Sequence, residues 1–542
     1  MSPEHRRNED REPGARNPNQ TPSLASATWH PSHNPWLIAV AVMAATFMEI
    51  LDTSVANVSL PHIAGSLSVT PEEATWVLTS YLVSNAIVLP ITGWLGLRFG
   101  RRRLLISCIA IFTFSSILCG MAPTLPFLIF ARILQGIGGG AMQPIAQAVL
   151  LESFPPHKRG IAMATYGMGV IVAPILGPTL GGWITDNYSW RWIFYINVPV
   201  GVFAILMAQA FIEDPPYIRH ARVERVDGIG FFYLALWLGA FQIILDKGQQ
   251  EDWFASSWIT WFAVISAASF VAFIARELRT AHPIVNLRIL KNRNFASGLV
   301  LITCLGGVLY GTTAALPIFL QTLMGYPALE SGYALSPRGL GAFVTTFIVG
   351  QLVGRIRNRV LMTTGFALLA VSSFWMGRIN LGISVWNVIW PSVLNGIAIS
   401  FIFVPLTTAT MGHLRQDQMG NAAGIFNLMR NLGGSFGISM VTTLLARRAQ
   451  VHQAYMVAHM TPYDPAYTER LMAAQNAFAA HAGPVQAHQQ ALGLLYNSLV
   501  QQSTLWAFVE NFRLFGVLCL VCLPLVLLFK RVRQGGSKPA VH

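Results

Sequence analysis

The stretch WLIAVAVMAATFMEILDTSVAN (Trp36–Asn57) is apolar as far as Met48 and then admits two carboxylates, Glu49 and Asp52. As an α-helix rising ~1.5 Å per residue, it is long enough to cross the ~30 Å hydrocarbon layer of a bilayer. A charge at the bilayer centre costs about 3 kcal/mol or more, so acids kept there generally have work to do. Whether these two lie in a bilayer depends on the rest of the chain.

The chain is 53% hydrophobic and 11% charged, whereas soluble domains carry about 25% charged residues. Runs of membrane-spanning length recur at 36–57, 74–97, 104–121, 125–151, 160–184, 191–212 and 228–246. Further runs follow at 257–277, 296–320, 332–352, 361–378, 387–411, 421–445 and 504–530. This pattern predicts an all-α polytopic membrane protein with fourteen transmembrane helices.

A net charge of +13 raises the question of nucleic acid, but 26 of the 36 Lys and Arg fall in alternate loops and the two tails. That alternation follows the positive-inside rule and puts both termini in the cytoplasm. Charges scattered over separate loops make no nucleic-acid face. Residues 1–35 are Pro-, Asn-, Arg- and Glu-rich, read as a disordered tail without a signal peptide's apolar core. Residues 531–542 form a second cytoplasmic tail. All five cysteines lie within apolar helices, so Cys519 and Cys522 are read as packing residues despite their redox-like spacing. "GIGGG" (136–140) follows no strand, which makes it a close-packing surface rather than a phosphate loop. No cofactor or metal site is predicted.

The two halves repeat one another. "LQGI" (134–137) returns as "LNGI" (394–397), Gly160 as Gly420 at the same offset, and Pro144 as Pro405 one residue further. "GWLGLRFGRRRL" (93–104) is echoed more weakly by "GQLVGRIRNRVL" (350–361). The offset spans an even number of helices, so the repeats run the same way through the membrane, one of the known ways to build a transporter. The expected division is a six-helix bundle at 36–212, an inserted helix pair at 228–277, and a second six-helix bundle at 296–530. The second bundle includes an extracytoplasmic loop at 446–503.

Several motifs carry a resemblance. "LDTSVANVSLP" (51–61), "GWLGLRFGRRR" (93–103), "RILQGIGGG" (132–140) and "APILGPTLGG" (173–182) lie in the first half. "WRWIFYINVPVG" (190–201), "LDKGQQEDWF" (245–254) and "FNLMRNLGGSFG" (426–437) support them. Together they are similar to the major facilitator superfamily, specifically its fourteen-helix drug:proton antiporters of the EmrB/QacA type. The resemblance implies the major facilitator fold, with two six-helix bundles about a pseudo-two-fold axis plus two inserted helices, in a bacterial inner membrane. It implies export of hydrophobic or amphipathic drugs in exchange for protons. A periplasmic EmrA-like adaptor and an outer-membrane channel are the implied partners. In one departure, Leu97 stands where the family usually has an aspartate, which leaves Arg98, Arg101 and Arg102 without their expected partner.

The residues also allow a reading of their own. Pro174 and Pro178 remove backbone donors and bend their helix, while Gly177, Gly181 and Gly182 let a neighbour approach. With Arg98, Gly100, Arg101 and Arg102, they form the expected conformational switch and seal. Glu49, Asn57, Gln135, Gln143, Asn427 and Arg430 are the expected polar lining of a central cavity. Glu510 and Arg513, one turn apart, are expected to neutralise each other. In 446–503, Gly483-Pro484 divides two helical pieces, and Val485, Leu492, Leu495 and Leu499 follow helical spacing on the second. A loop that long is expected to dock the adaptor.

Glu49 and Asp52, three residues apart, share one helix face. Away from bulk water, two carboxylates so close favour holding a proton between them, as a coupled pair. Asp52 is the expected proton carrier, Glu49 an accessory or substrate-facing acid, and Arg132 the cation that tunes them. A proton-coupled importer on the same fold is the alternative. An enzyme is disfavoured because no HExxH, intramembrane His cluster or Ser/Lys pair appears. A passive channel would not need acids beside a buried arginine.

Overall fold

The computed structural model describes residues 31–155, 158–215, 218, 227–280, 283–412, 414, 418–480 and 483–529. Most of the tail expected at 1–35, and all of that at 531–542, lies outside them. Every predicted run falls in one long helix, in order: α1 (Pro35–Val58), α2 (Trp76–Phe99), α3 (Arg101–Gly120), α4 (Leu125–Ser153) and α5 (Arg159–Asn187). Next come α6 (Trp192–Phe211), α7 (Gly228–Lys247), α8 (Ser257–Arg279), α9 (Arg293–Leu323) and α10 (Ala328–Leu352). The last are α11 (Asn358–Met376), α12 (Trp386–Met411), α13 (Met419–Val457), the short α14 (Pro465–Ala479) and α15 (Pro484–Val526). Among the described residues, twelve of these helices are long and apolar enough to cross a membrane. The other two of the fourteen predicted, α10 and α13, carry buried polar residues, Arg338 in α10 and Asn427 and Arg430 in α13.

Glycines set the bundle's symmetry. In the first half α1 packs on α5, where Gly177 and Gly181 have Ser54 and Val55 within the space of a missing Cβ. In the second half α9 packs on α13, where Gly433 and Gly437 meet the backbone of Thr303 and Gly307 in the same way. Between the halves the contacts are reciprocal: Gly160 of α5 lies on Gly350 of α10, and Gly420 of α13 lies on Gly93 of α2. The repeat offsets pair Gly160 with Gly420 and Gly93 with Gly350, so each contact is the other's image. Reciprocal pairing of this kind is what a two-fold axis produces.

The helices α7 and α8 pack on each other, and α7 also packs on α2 and α13. Thr79 of α2 donates to Asp246 of α7, and the Gln242 amide of α7 donates to Ser435 of α13 at 2.9 Å. The inserted pair therefore touches both halves.

The segment between α13 and α15 is helical on both sides of Gly483-Pro484. α13 continues to Val457, and α15 runs unbroken for 43 residues from Pro484. At ~1.5 Å per residue it is about twice as long as a bilayer core is thick. The pieces divide at Gly483-Pro484 as expected, and α14 packs along α15. Its packed face, however, is Ala487, Ala491 and Leu499, whereas Val485 and Leu492 are exposed. The expected Glu510–Arg513 pair does not form. Glu510 accepts from Arg448 of α13 at 2.5 and 2.8 Å, and Arg513 donates to the Gly377 carbonyl at 3.0 Å.

A Cβ at Gly433 would collide with the Thr303 backbone, whereas one at Gly493 would meet nothing within 4 Å. Gly433→Ala is therefore expected to destabilise the protein by about 1–3 kcal/mol through overpacking. Gly493→Ala should be neutral or stabilising by up to about 1 kcal/mol. Thermal unfolding of the purified variants checks both; equal melting temperatures would contradict the packing described.

Candidate functional site

Apolar side chains surround the inner face of α1, so each charge there must find its partner within the protein. Asp52 is 1% exposed, and three donors converge on it. Arg132 Nη1 of α4 lies 2.6 Å away, Gln135 Nε2 2.9 Å, and Asn197 Nδ2 of α6 2.6 Å. Arg132 is itself fully buried. Its Nε donates to the Val77 carbonyl of α2 at 3.0 Å, and Nη1 also donates to Gln135 Oε1 at 2.6 Å. Its guanidinium lies 4.4 Å from the ring centre of Tyr81 and 5.6 Å from that of Phe194, within cation–π reach. Ser116 of α3 accepts from Gln135 and Asn197 at 2.7 and 3.2 Å.

Glu49, one turn back along α1, sits in a separate cage. Tyr81 Oη and Asn85 Nδ2 of α2 donate to Oε1 at 3.2 and 3.1 Å, and Gln143 Nε2 of α4 donates to Oε2 at 2.5 Å. Tyr81 thus joins the two cages, with its ring against Arg132 and its hydroxyl on Glu49. Gln143 leads onward, because its carbonyl accepts from Arg430 Nη2 of α13, in the opposite half. One turn along α4, Gln147 Oε1 accepts from Asn427 Nδ2 of α13 at 2.8 Å. A polar track therefore runs from Asp52, through Tyr81 and Glu49, into the second bundle.

The structure brings together Glu49, Asp52, Arg132, Gln135, Gln143, Asn427 and Arg430. Gln135 belongs to the Asp52 cage, and Asn57 is exposed near the end of α1, apart from the cluster. Tyr81, Asn85, Ser116, Gln147 and Asn197 were not singled out from sequence. Their signal was that of any polar residue inside an apolar run.

With Leu97 in place of the aspartate, Arg101 and Arg102 take other partners. Arg101 pairs with the buried Glu152 of α4. The Arg102 amide donates to Asp214 at 3.0 Å, and its guanidinium donates to the Gln209 carbonyl. Arg98 is exposed. Gly100 has a φ of 84° and has the Asp214 carboxylate where a Cβ would project, so both backbone and space favour glycine. In α5, Pro174 and Pro178 lie within one unbroken helix. Pro178 leaves the Pro174 carbonyl without its helical donor, and Ser54 Oγ of α1 supplies one at 2.9 Å. Gly182 has nothing within 4 Å of a Cβ, so it has no part in the close packing.

A multi-pass helical membrane protein with two pseudo-symmetric bundles meeting at a polar seam has the architecture of a transporter. The Major Facilitator Superfamily profile matches residues 42–438, and the chain belongs to that family. It is 36% identical to the fatty acid resistance protein FarB of Neisseria gonorrhoeae over 92% of this chain and 97% of that protein. It is 36% identical to the multidrug export protein EmrB of Escherichia coli K12, over 93% of this chain and 98% of that protein. The EmrB of Haemophilus influenzae is 38% identical over 79% of this chain and 84% of that protein. The human organic anion transporter MFSD10 shares the fold at 12% identity, with a TM-score of 0.59 over 91% of this chain and all of that one.

Removing one member of a buried ion pair strands the other and costs about 3–5 kcal/mol. Arg132→Leu is expected to lower stability by about that amount. Adding Asp52→Asn should restore part of the loss, because the remaining polar group is then neutral. Melting curves of the single and double variants test this; a double variant no more stable than Arg132→Leu would contradict the pairing.

Proposed function

We propose that this protein is a secondary active efflux transporter that expels hydrophobic or amphipathic compounds in exchange for protons. The observation that carries the reading is the polar track from Asp52 through Glu49 and Gln143 to Arg430. It joins two buried carboxylates to the seam across which the bundles move in alternating access. Family membership points to a transporter rather than an enzyme, and the EmrB relatives at 36–38% identity are named as multidrug exporters. We assign Asp52 as principal proton carrier, Glu49 as accessory or substrate-facing acid, and Arg132 as the charge that tunes Asp52. Gln143, Asn427 and Arg430 line the substrate path. Arg98, Gly100, Arg101 and Arg102, with Pro174, Gly177, Pro178 and Gly181, form the switch at which the halves separate. The working division is 36–212, 228–277 and 296–530, with both termini cytoplasmic in a bacterial inner membrane.

Cells expressing the protein should extrude a fluorescent amphipathic dye, and an uncoupler should abolish the extrusion. Uncoupler-resistant extrusion would refute proton coupling, and proton-driven accumulation would favour the importer.

The outward hairpin of α14 and α15 is read as the docking site for a periplasmic adaptor that passes substrate to an outer-membrane channel. Tyr463, Met472, Val485 and Tyr496 are exposed there by 95%, 63%, 72% and 59%, an unusual display of apolar surface away from lipid. Deleting 465–495 should abolish co-purification of an EmrA-like periplasmic adaptor expressed with the protein. Unchanged recovery would exclude the hairpin as the docking site.

A further inference from the structure

The second bundle carries buried positive charge that nothing in that bundle balances. Among the described helices of that bundle, α9, α11, α12 and α13 contain no Asp or Glu, α10 has only the exposed Glu330 in its first turn, and Glu510 of α15 is taken up by Arg448. Yet Arg338 in the middle of α10 is 5% exposed, and Arg430 of α13 is 1% exposed. Arg430 reaches Gln143 and feels the charge of Glu49 across the seam. Among the described residues, no acid forms an ion pair with Arg338. Its single hydrogen bond runs from Nη1 to Thr313 Oγ1 of α9 at 3.1 Å. Its Nη2 is enclosed and without a partner, as are Nε and Nη1 of Arg430. A buried unpaired guanidinium is costly, and in a membrane interior it marks a functional position by default.

The repeat shows which way Arg338 faces. Gly136 of α4 lies on the carbonyl of Tyr81, and Gly396 of α12 lies in the same manner on the carbonyl of Arg338. Arg338 is thus the second-half image of Tyr81, whose side chain serves the Glu49 and Asp52 cages. The images of the two acids, by contrast, fall in an apolar part of α9. Thr313, which holds Arg338, is one turn from Tyr310, which adjoins Arg430, so the two arginines flank one face of α9. α10 also lies on α5 at the seam, where Gly332 approaches Thr179 and Gly350 approaches Gly160. Movement of the halves therefore opens the surface that α10 contributes.

Resting on the export reading above, we propose that Arg338, with Thr313 and with Arg430 further along, is a receptor for the acidic headgroup of an amphipathic anion. The ligand class is an organic carboxylate or similar oxyanion with an apolar body. A carboxylate can accept a charge-assisted hydrogen bond from Arg338 Nη2, the enclosed donor that lacks a partner. The charge it brings is the one this bundle lacks.

The test is equilibrium binding to the purified full-length protein in nanodiscs, without a proton gradient. The probes are naphthylacetate and its cationic counterpart, naphthylmethyl-trimethylammonium. The wild type is expected to bind the acid, Arg338→Gln to weaken that binding at least tenfold without weakening the cation, and Arg338→Lys, which keeps the charge but not the guanidinium geometry, to weaken it less than Arg338→Gln. Wild-type protein that does not bind the acid, or unchanged acid affinity in Arg338→Gln, would overturn the assignment. So would an equal loss of both probes in Arg338→Gln and Arg338→Lys, which would mark Arg338 as a packing residue. Because no gradient is involved, any of these results would leave proton-driven export standing.

Discussion

The structure depends on one constraint, a guanidinium that must be satisfied inside hydrocarbon. Arg132 has no contact with solvent and is held by Asp52, the Val77 carbonyl, Gln135 and two aromatic faces. These partners come from α1, α2, α4 and α6, and Ser116 of α3 is tied in through Gln135 and Asn197. A single ion pair thus fixes the register of five helices in the first bundle. Its net worth in stability is small compared with the penalty for breaking it, because a stranded charge in this position is costly. That imbalance suits a proton site. Protonating Asp52 changes what Arg132 prefers to touch, and only a difference in interaction between two states can drive a conformational exchange.

The bundles are symmetric in backbone and asymmetric in chemistry. The close glycine contacts recur in both halves and across both faces of the seam. The side-chain links between buried groups of the two bundles lie on one face, while on the other Arg159 Nη1 of α5 donates to the Gly412 carbonyl at 3.3 Å. By the repeat offset, the image of Gln143 is Phe403, and there the seam is made by the Phe403 ring stacked on Tyr166, with centroids 6.2 Å apart. Arg132 likewise has Ser392 as its image. One face of the seam thus carries the buried Glu49–Gln143–Arg430 link, while the middle of the other is an aromatic stack.

Much of this was legible from sequence, because hydrocarbon leaves the backbone few choices. Run length gave the helices, and the acids at 49 and 52 with Arg132 stood out as charges in apolar runs. The glycines of 136–140 were correctly read as contacts, since small residues in a membrane helix have little other use. Pairings distant in the chain were not legible. Nothing local to Arg101 points to Glu152, fifty-one residues on, so the partner it takes in place of the absent aspartate could not be read from sequence. Glu510 and Arg513 are spaced for a helical pair, yet the neighbouring α13 offered Glu510 a better partner in Arg448. Spacing sets which residues share a face, whereas packing sets what that face meets. Arg338 was missed for the opposite reason: a lone arginine in a run shows its importance only when its surroundings prove to contain no acid.

The central claim is that the Asp52 carboxylate carries the exchanged proton. The most direct measurement is uphill substrate transport by purified Asp52→Asn protein in proteoliposomes with an imposed pH gradient. Folding is confirmed beforehand by its melting curve. The account predicts that this variant exchanges substrate down its own gradient but does not accumulate it against one. Uphill transport at the wild-type rate would contradict it.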